Sequence, residues 1–91
     1  MADPDPVAAA FADLLSAARK EAGITQEALA ELSGLDRTAI SQLELGYASP
    51  RLATVIRIAG ALDMDPRELV PAIRWAPPAN TPLPAGEFRK L

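Results

Sequence analysis

The tightest constraint in this chain is a spacing. Ala30 stands four residues before Gly34, and Ile40 and Leu43 follow that glycine by six and nine residues. The stretch Gly34–Gly46 reads Gly-Leu-Asp-Arg-Thr-Ala-Ile-Ser-Gln-Leu-Glu-Leu-Gly, with a glycine stop at each end and about three helical turns between. Asp36 stands where an N-cap carboxylate accepts from the free N–H groups of a first turn. Wound at about 100° per residue, Ala39, Ile40 and Leu43 fall on one arc, and Arg37, Thr38, Ser41, Gln42 and Leu45 on the other. A helix kept only for packing more often carries Glu and Lys on its outer face. This one carries short side chains that both donate and accept hydrogen bonds, so it is expected to touch something.

The preceding Thr25-Gln-Glu-Ala-Leu-Ala-Glu-Leu-Ser33 reads as another short helix, with Thr25 as N-cap and Ala28, Leu29 and Leu32 facing inward. Two helices that meet steeply across a short turn need a small residue at the crossing, here Ala30. They also need a residue that tolerates positive φ in the turn, here Gly34. Ile40 and Leu43 then anchor the second helix on the first. This is the helix-turn-helix pattern, with all four positions filled.

Three segments carry a family resemblance: Gly-Ile-Thr-Gln-Glu-Ala-Leu-Ala-Glu-Leu-Ser-Gly from Gly23, then Arg37-Thr-Ala-Ile-Ser-Gln-Leu-Glu, then Ser49-Pro-Arg-Leu-Ala-Thr. Over roughly Leu14–Val70 the chain resembles the lambda-repressor-like (Xre/Cro) regulators of bacteria and phages. The resemblance implies an all-α DNA-binding domain with the helix-turn-helix at helices two and three.

Composition bounds the alternatives. A chain of 91 residues is one domain, near the lower end of what a single core stabilises unaided. It has no cysteine and no histidine, which removes disulfides, cysteine-based zinc sites, the commonest metal ligand and the commonest general base. No cofactor, metal or catalytic site is expected. No apolar run approaches the ~18 residues of a membrane span, and no secretory leader is evident, so a cytoplasmic protein is expected. The net charge of −3 counts against a nucleic-acid partner. Its distribution counts the other way: between Arg37 and Arg57 stand three arginines (Arg37, Arg51, Arg57) and one glutamate (Glu44), a local +2.

Taken in order, Met1–Pro4 is a short lead, and Asp5-Pro6 opens a helix through Ala22 that Gly23 ends, with Val7, Phe11, Leu14, Leu15 and Ala18 on one face. Ser49-Pro50 is expected to open a fourth helix in the same cap-then-proline manner, with Leu52, Val55, Ile56 and Ala59 inward and Gly60 weakening its end. Asp65-Pro66-Arg-Glu68 carries a capping box and is expected to open a fifth, with Leu69 and Ile73 inward and Pro71 fraying it. Five helices and no strand are the expectation. Residues 1–73 would form the DNA-binding domain. Residues 74–91, with four prolines between Trp75 and Gly86, would form an extended tail. Trp75 and Phe88 in that tail could pack on the domain, a second subunit or a protein partner, and Arg89 and Lys90 sit at its tip.

Within this frame, Arg37 suits bidentate pairing with guanine O6 and N7, and the amide of Gln42 suits the N6/N7 edge of adenine. Thr38 and Ser41 lie beside them, facing bases or phosphates. The resemblance implies that Gln26 meets phosphate and steadies the first recognition residue. Thr25, Tyr47, Ser49 and Arg51 are the other candidate backbone contacts. Leu45 and Ala48 depart from the family, which commonly has polar or basic residues there. The resemblance also sets Arg19 opposite Glu44, tying helix one to the end of helix three. Such a pair orients more than it stabilises, because ion pairs recover little beyond their desolvation cost.

Two function classes follow. One is a sequence-specific transcriptional regulator, a repressor, binding a palindromic DNA operator as a homodimer. The other is a protein-interaction module such as the antitoxin of a toxin–antitoxin pair, which the acidic balance and proline-rich tail favour slightly.

Overall fold

The computed structural model describes residues 5–79. Phe88, Arg89 and Lys90, the other side chains considered in the tail, lie outside that range. Four α-helices are present among the described residues: α1 Pro6–Ala22, α2 Gln26–Ser33, α3 Arg37–Glu44 and α4 Leu52–Ala61. A single 3-10 turn follows at Pro66–Leu69.

The ends of the helices follow local chemistry. Asp5 accepts from the N–H of Val7 with Pro6 in the first turn, and Gly23 closes α1 at φ 73°. The Thr25 hydroxyl accepts from the N–H of Ala28, and Gly34 closes α2 at φ 74°. That left-handed glycine makes the sharp bend into α3. Asp36 occupies the N-cap of α3, but its carboxylate makes no capping hydrogen bond. The first turn of α3 is therefore uncapped by its own side chain, contrary to the sequence expectation.

Two further expectations change. The fourth helix starts at Leu52 with Arg51 as N-cap, not at Ser49-Pro50. The Ser49 hydroxyl is engaged elsewhere, donating to Asp5 Oδ2 at 2.7 Å. The fifth helix is only the 3-10 turn. Its capping box between Asp65 and Glu68 is formed, but Val70 is already extended at φ −90°, ψ 119°. Pro71 supplies no N–H to continue a helix and biases the residue before it to extended backbone.

The core gathers Phe11 and Leu15 of α1, Leu29 and Ala30 of α2, Ile40 and Leu43 of α3, Val55, Ile58 and Ala59 of α4, and Leu69. α3 lies against both α1 and α2, and α4 packs on α2 and on the 3-10 turn. Close approach is made by small residues. Ala30 is buried in the core, as a small residue at a helix crossing must be, and a side chain at Gly46 (φ 75°) would meet Ala8, Ala9 and Ala12 of α1. Val7, Leu32, Leu52, Ile56 and Ile73, all expected inward, are instead exposed, while Ala8, Ala12 and Ile58 are buried. Trp75 is 84% exposed and does not pack on its own domain.

Ala30→Leu should prise α2 from α3. Overpacking at such a crossing costs about 1–3 kcal/mol, read as a lower denaturant midpoint at unchanged slope. An unchanged midpoint would place the crossing elsewhere.

Candidate nucleic-acid interface

The outward arc of α3 is open. Arg37, Thr38 and Gln42 are exposed and Ser41 is half-buried, while Ile40 and Leu43 hold the opposite arc in the core. Leu45, at the C-cap, is 60% exposed. The sequence reading of the two arcs therefore matches the structure.

Behind this face lies a polar network. Arg19 donates from Nε and Nη2 to the two oxygens of Glu44, at 2.6 and 2.9 Å, and from Nη1 to the carbonyl of Ile24 at 2.9 Å. The two side chains are only 14% and 7% exposed. Gln26 Nε2 donates to Glu44 as well, at 3.3 Å. Burial works against the charge on Glu44, but the Arg19 and Gln26 hydrogen bonds and the charges of Arg19 and Lys20 outweigh it. The Glu44 carboxyl is held below the ordinary glutamate range, and Arg19 is held above the ordinary arginine range chiefly by its bond to Glu44. Helices α1, α2 and α3 are thus joined at one point.

The remaining candidates sit around the rim. Thr25 spends its oxygen on the α2 cap, leaving its proton to donate outward. Tyr47 is 77% exposed in the turn after α3. Ser49 is tied to Asp5, whose carboxyl is held below the ordinary aspartate range first by that hydroxyl and then by the Val7 N–H. Arg51 lines a groove with Gln42, Ser49, Thr54 and Arg57, between α3 and α4.

Two participants were missed by the sequence reading. Arg57 reaches over Gly34, with Nη2 3.6 Å from where a Cβ would stand, and brings a cation to the C-terminus of α2, whose own last turn has none. In sequence it contributes only to the local +2. Glu27 meets Nε of Arg37 at 2.8 Å, both side chains more than half exposed. The available signal was its position beside Gln26, in the first turn of α2. Among the described residues no group of three His, Cys, Asp or Glu is placed to hold a metal ion, and no helix is long and apolar enough to cross a membrane.

Residues 15–69 match the family model described as Helix-turn-helix (HTH_3). The chain belongs to that family. This bears out the Xre, lambda-repressor-like resemblance. Among its relatives in the helix-turn-helix family, an uncharacterized HTH-type transcriptional regulator of Sinorhizobium fredii is 41% identical over 64 residues. That match takes in 66% of this chain but only 33% of the relative, so the chain spans about a third of that protein. Among solved structures, the restriction-modification controller protein C.AhdI of Aeromonas hydrophila is 40% identical, with a TM-score of 0.67 over 68% of this chain and 90% of that one. The P22 c2 repressor, solved with a synthetic operator, is 30% identical, with a TM-score of 0.61 over 66% of this chain and 91% of that one.

Proposed function

We propose that this helix-turn-helix protein is a sequence-specific transcriptional repressor that binds a palindromic operator as a homodimer, with residues 1–73 as its DNA-binding domain. The observation that carries the reading is the α3 face. Its polar arc is exposed while its apolar arc and its terminal Glu44 are held from behind. In this reading Arg37, Thr38, Ser41 and Gln42 meet base edges in the major groove. Thr25, Gln26, Tyr47 and Arg51 meet phosphates, and Ser49 joins them only where a phosphate displaces Asp5 from its hydroxyl. The P22 c2 repressor, bound to its operator, is a neighbour that supports the assignment.

Dimerisation is supported by an argument of size and one of surface. One module buries only about 600–1,000 Å² on DNA, so two half-sites are the usual route to useful affinity. Away from α3, Val7, Leu52, Ile56 and Val70 are each 43–73% exposed. Val7, Leu52 and Val70 line one apolar groove with Phe11, Val55 and Leu69.

The test begins by selecting an operator from a pool of random duplexes and titrating it to stoichiometry, with two chains per duplex expected. Arg37→Ala should cost about 1–3 kcal/mol per half-site on that operator and relax preference at one base pair. Arg51→Ala should weaken all duplexes alike and flatten the slope of log K against log salt by about one unit per half-site. An unchanged operator-to-scrambled ratio in Arg37→Ala would remove α3 as the reader. Failure of the wild-type protein to select any sequence would favour the protein-interaction reading.

A further inference from the structure

Two consecutive side chains of α2 hold the two ends of α3. Gln26 reaches Glu44, its last residue, and Glu27 reaches Arg37, its first. The first contact belongs to the buried network. The second lies in the open, on the face proposed to meet DNA, and its chemistry is unexpected there. A carboxylate beside the DNA backbone repels phosphate and reduces affinity for every sequence alike. Nor does the contact contribute much to the fold, since exposed ion pairs contribute little to stability. Its geometry suits another purpose. Glu27 Oε1 lies 2.8 Å from Nε of Arg37, on the inner side of the guanidinium, and the terminal Nη1–Nη2 edge is the pair of donors that would fork onto a guanine.

We infer that Glu27 is a specificity-determining residue: it positions Arg37 for a base edge and withholds it from the phosphates. The inference rests on the regulator reading above. An unrestrained arginine at the first position of α3 would swing to whichever phosphate lay within reach, adding affinity for any duplex. Paired with the Glu27 charge, it makes its full contact only where a guanine lies under its terminal edge. On a wrong sequence, releasing Arg37 to a phosphate strands the Glu27 charge beside the backbone, so that escape is penalised. The carboxylate therefore lowers non-specific binding more than operator binding.

The experiment compares wild type, Glu27→Gln, Glu27→Asp, Arg37→Ala and the Glu27→Gln/Arg37→Ala double variant. Each is titrated against the operator that the wild type selects from random duplexes and against its scrambled counterpart, at several salt concentrations. Glu27→Gln should bind the scrambled duplex more tightly, and its operator-to-scrambled ratio should fall by about fivefold or more per half-site, the low end of what one arginine–guanine fork discriminates. Its thermal midpoint should not move, which separates positioning from a structural role. Glu27→Asp keeps the charge on a shorter arm and should lose the ratio as Glu27→Gln does. In the Arg37→Ala background, Glu27→Gln should leave the ratio where Arg37→Ala put it. If Glu27→Gln raises both affinities by one factor, or Glu27→Asp behaves as wild type, Glu27 is only a local charge and the inference is overturned. If the wild type selects no sequence at all, the regulator reading fails, and this inference with it.

Discussion

Arg19→Ala and Glu44→Ala should each cost about 3–5 kcal/mol of folding stability, because removing one partner leaves the other's charge buried and unpaired. The premise is the low exposure of both side chains, 14% and 7%, and the fork of 2.6 and 2.9 Å that joins them. For Arg19→Ala the loss extends to the carbonyl of Ile24, which gives up its side-chain donor. The double variant should lose clearly less than the sum, since neither charge is then stranded. Strictly additive losses in chemical denaturation would take the pair out of the argument. An Arg19→Met/Glu44→Met variant sharpens the point. Apolar replacement of a buried pair is often neutral or stabilising, so this variant should fold near wild-type stability. It should nevertheless bind the operator less tightly, because the end of α3 is no longer fixed to α1.

The same pair sets a pH dependence with a definite sign. The folded Glu44 carboxyl lies below the ordinary value of 4.5, so the unfolded chain binds the extra proton as pH falls. Its stabilisation is complete above about 4.5 and is lost as pH drops through the folded value. Glu44→Gln should therefore show a shallower acid loss than wild type. Part of the slope should survive, because the carboxyls of Asp5 and Asp65, bonded chiefly to Ser49 and Arg67, are also held below their ordinary range.

What the sequence reveals and what it hides divide along a physical line. Signals that act within one turn were mostly legible: Asp5-Pro6, Thr25, Gly23, Gly34 and the Asp65–Glu68 box do locally what their types suggest, while Asp36 takes the N-cap position without making the capping bond. The helix-turn-helix spacing pointed to a small residue at Ala30, and the Arg19–Glu44 pair was implied by the family resemblance rather than by periodicity. Other contacts between distant segments were not legible. Ser49-Pro50 has the same form as Asp5-Pro6, yet Ser49 turns to a carboxylate 44 residues away and the helix starts later. In α4, Leu52, Val55, Ile56 and Ile58 span more than one arc, so periodicity alone does not choose between Ile56 and Ile58. At the candidate site the basic and polar arc of α3 was visible in sequence, while the acids that meet candidate side chains, Glu27 at Arg37 on α3 and Asp5 at Ser49 beyond it, were not. Their effect depends on distance, and a charge tally carries none.

Ile40 and Leu32 bring that division to a single comparison. Both were expected to face inward; Ile40 is fully buried and Leu32 is 61% exposed. Ile40→Ala should cost about 2–5 kcal/mol, from lost transfer energy and the cavity left between α1, α2 and α3. In a domain whose whole stability is of order 5–15 kcal/mol, that is a large share. Leu32→Ala should stay within about 0.5 kcal/mol, the usual range for an exposed site. The Ile40 loss should also fall unevenly. α3 is an eight-residue helix, and helices shorter than about 12–15 residues do not hold in water without packing. Its amides should therefore exchange with solvent sooner than those of α1 in Ile40→Ala, and operator affinity should drop although no side chain on the outward arc of α3 has changed. Urea midpoints at constant slope and amide exchange along α3 measure both effects. Equal costs for the two substitutions would mean that α3 is anchored by something other than Ile40.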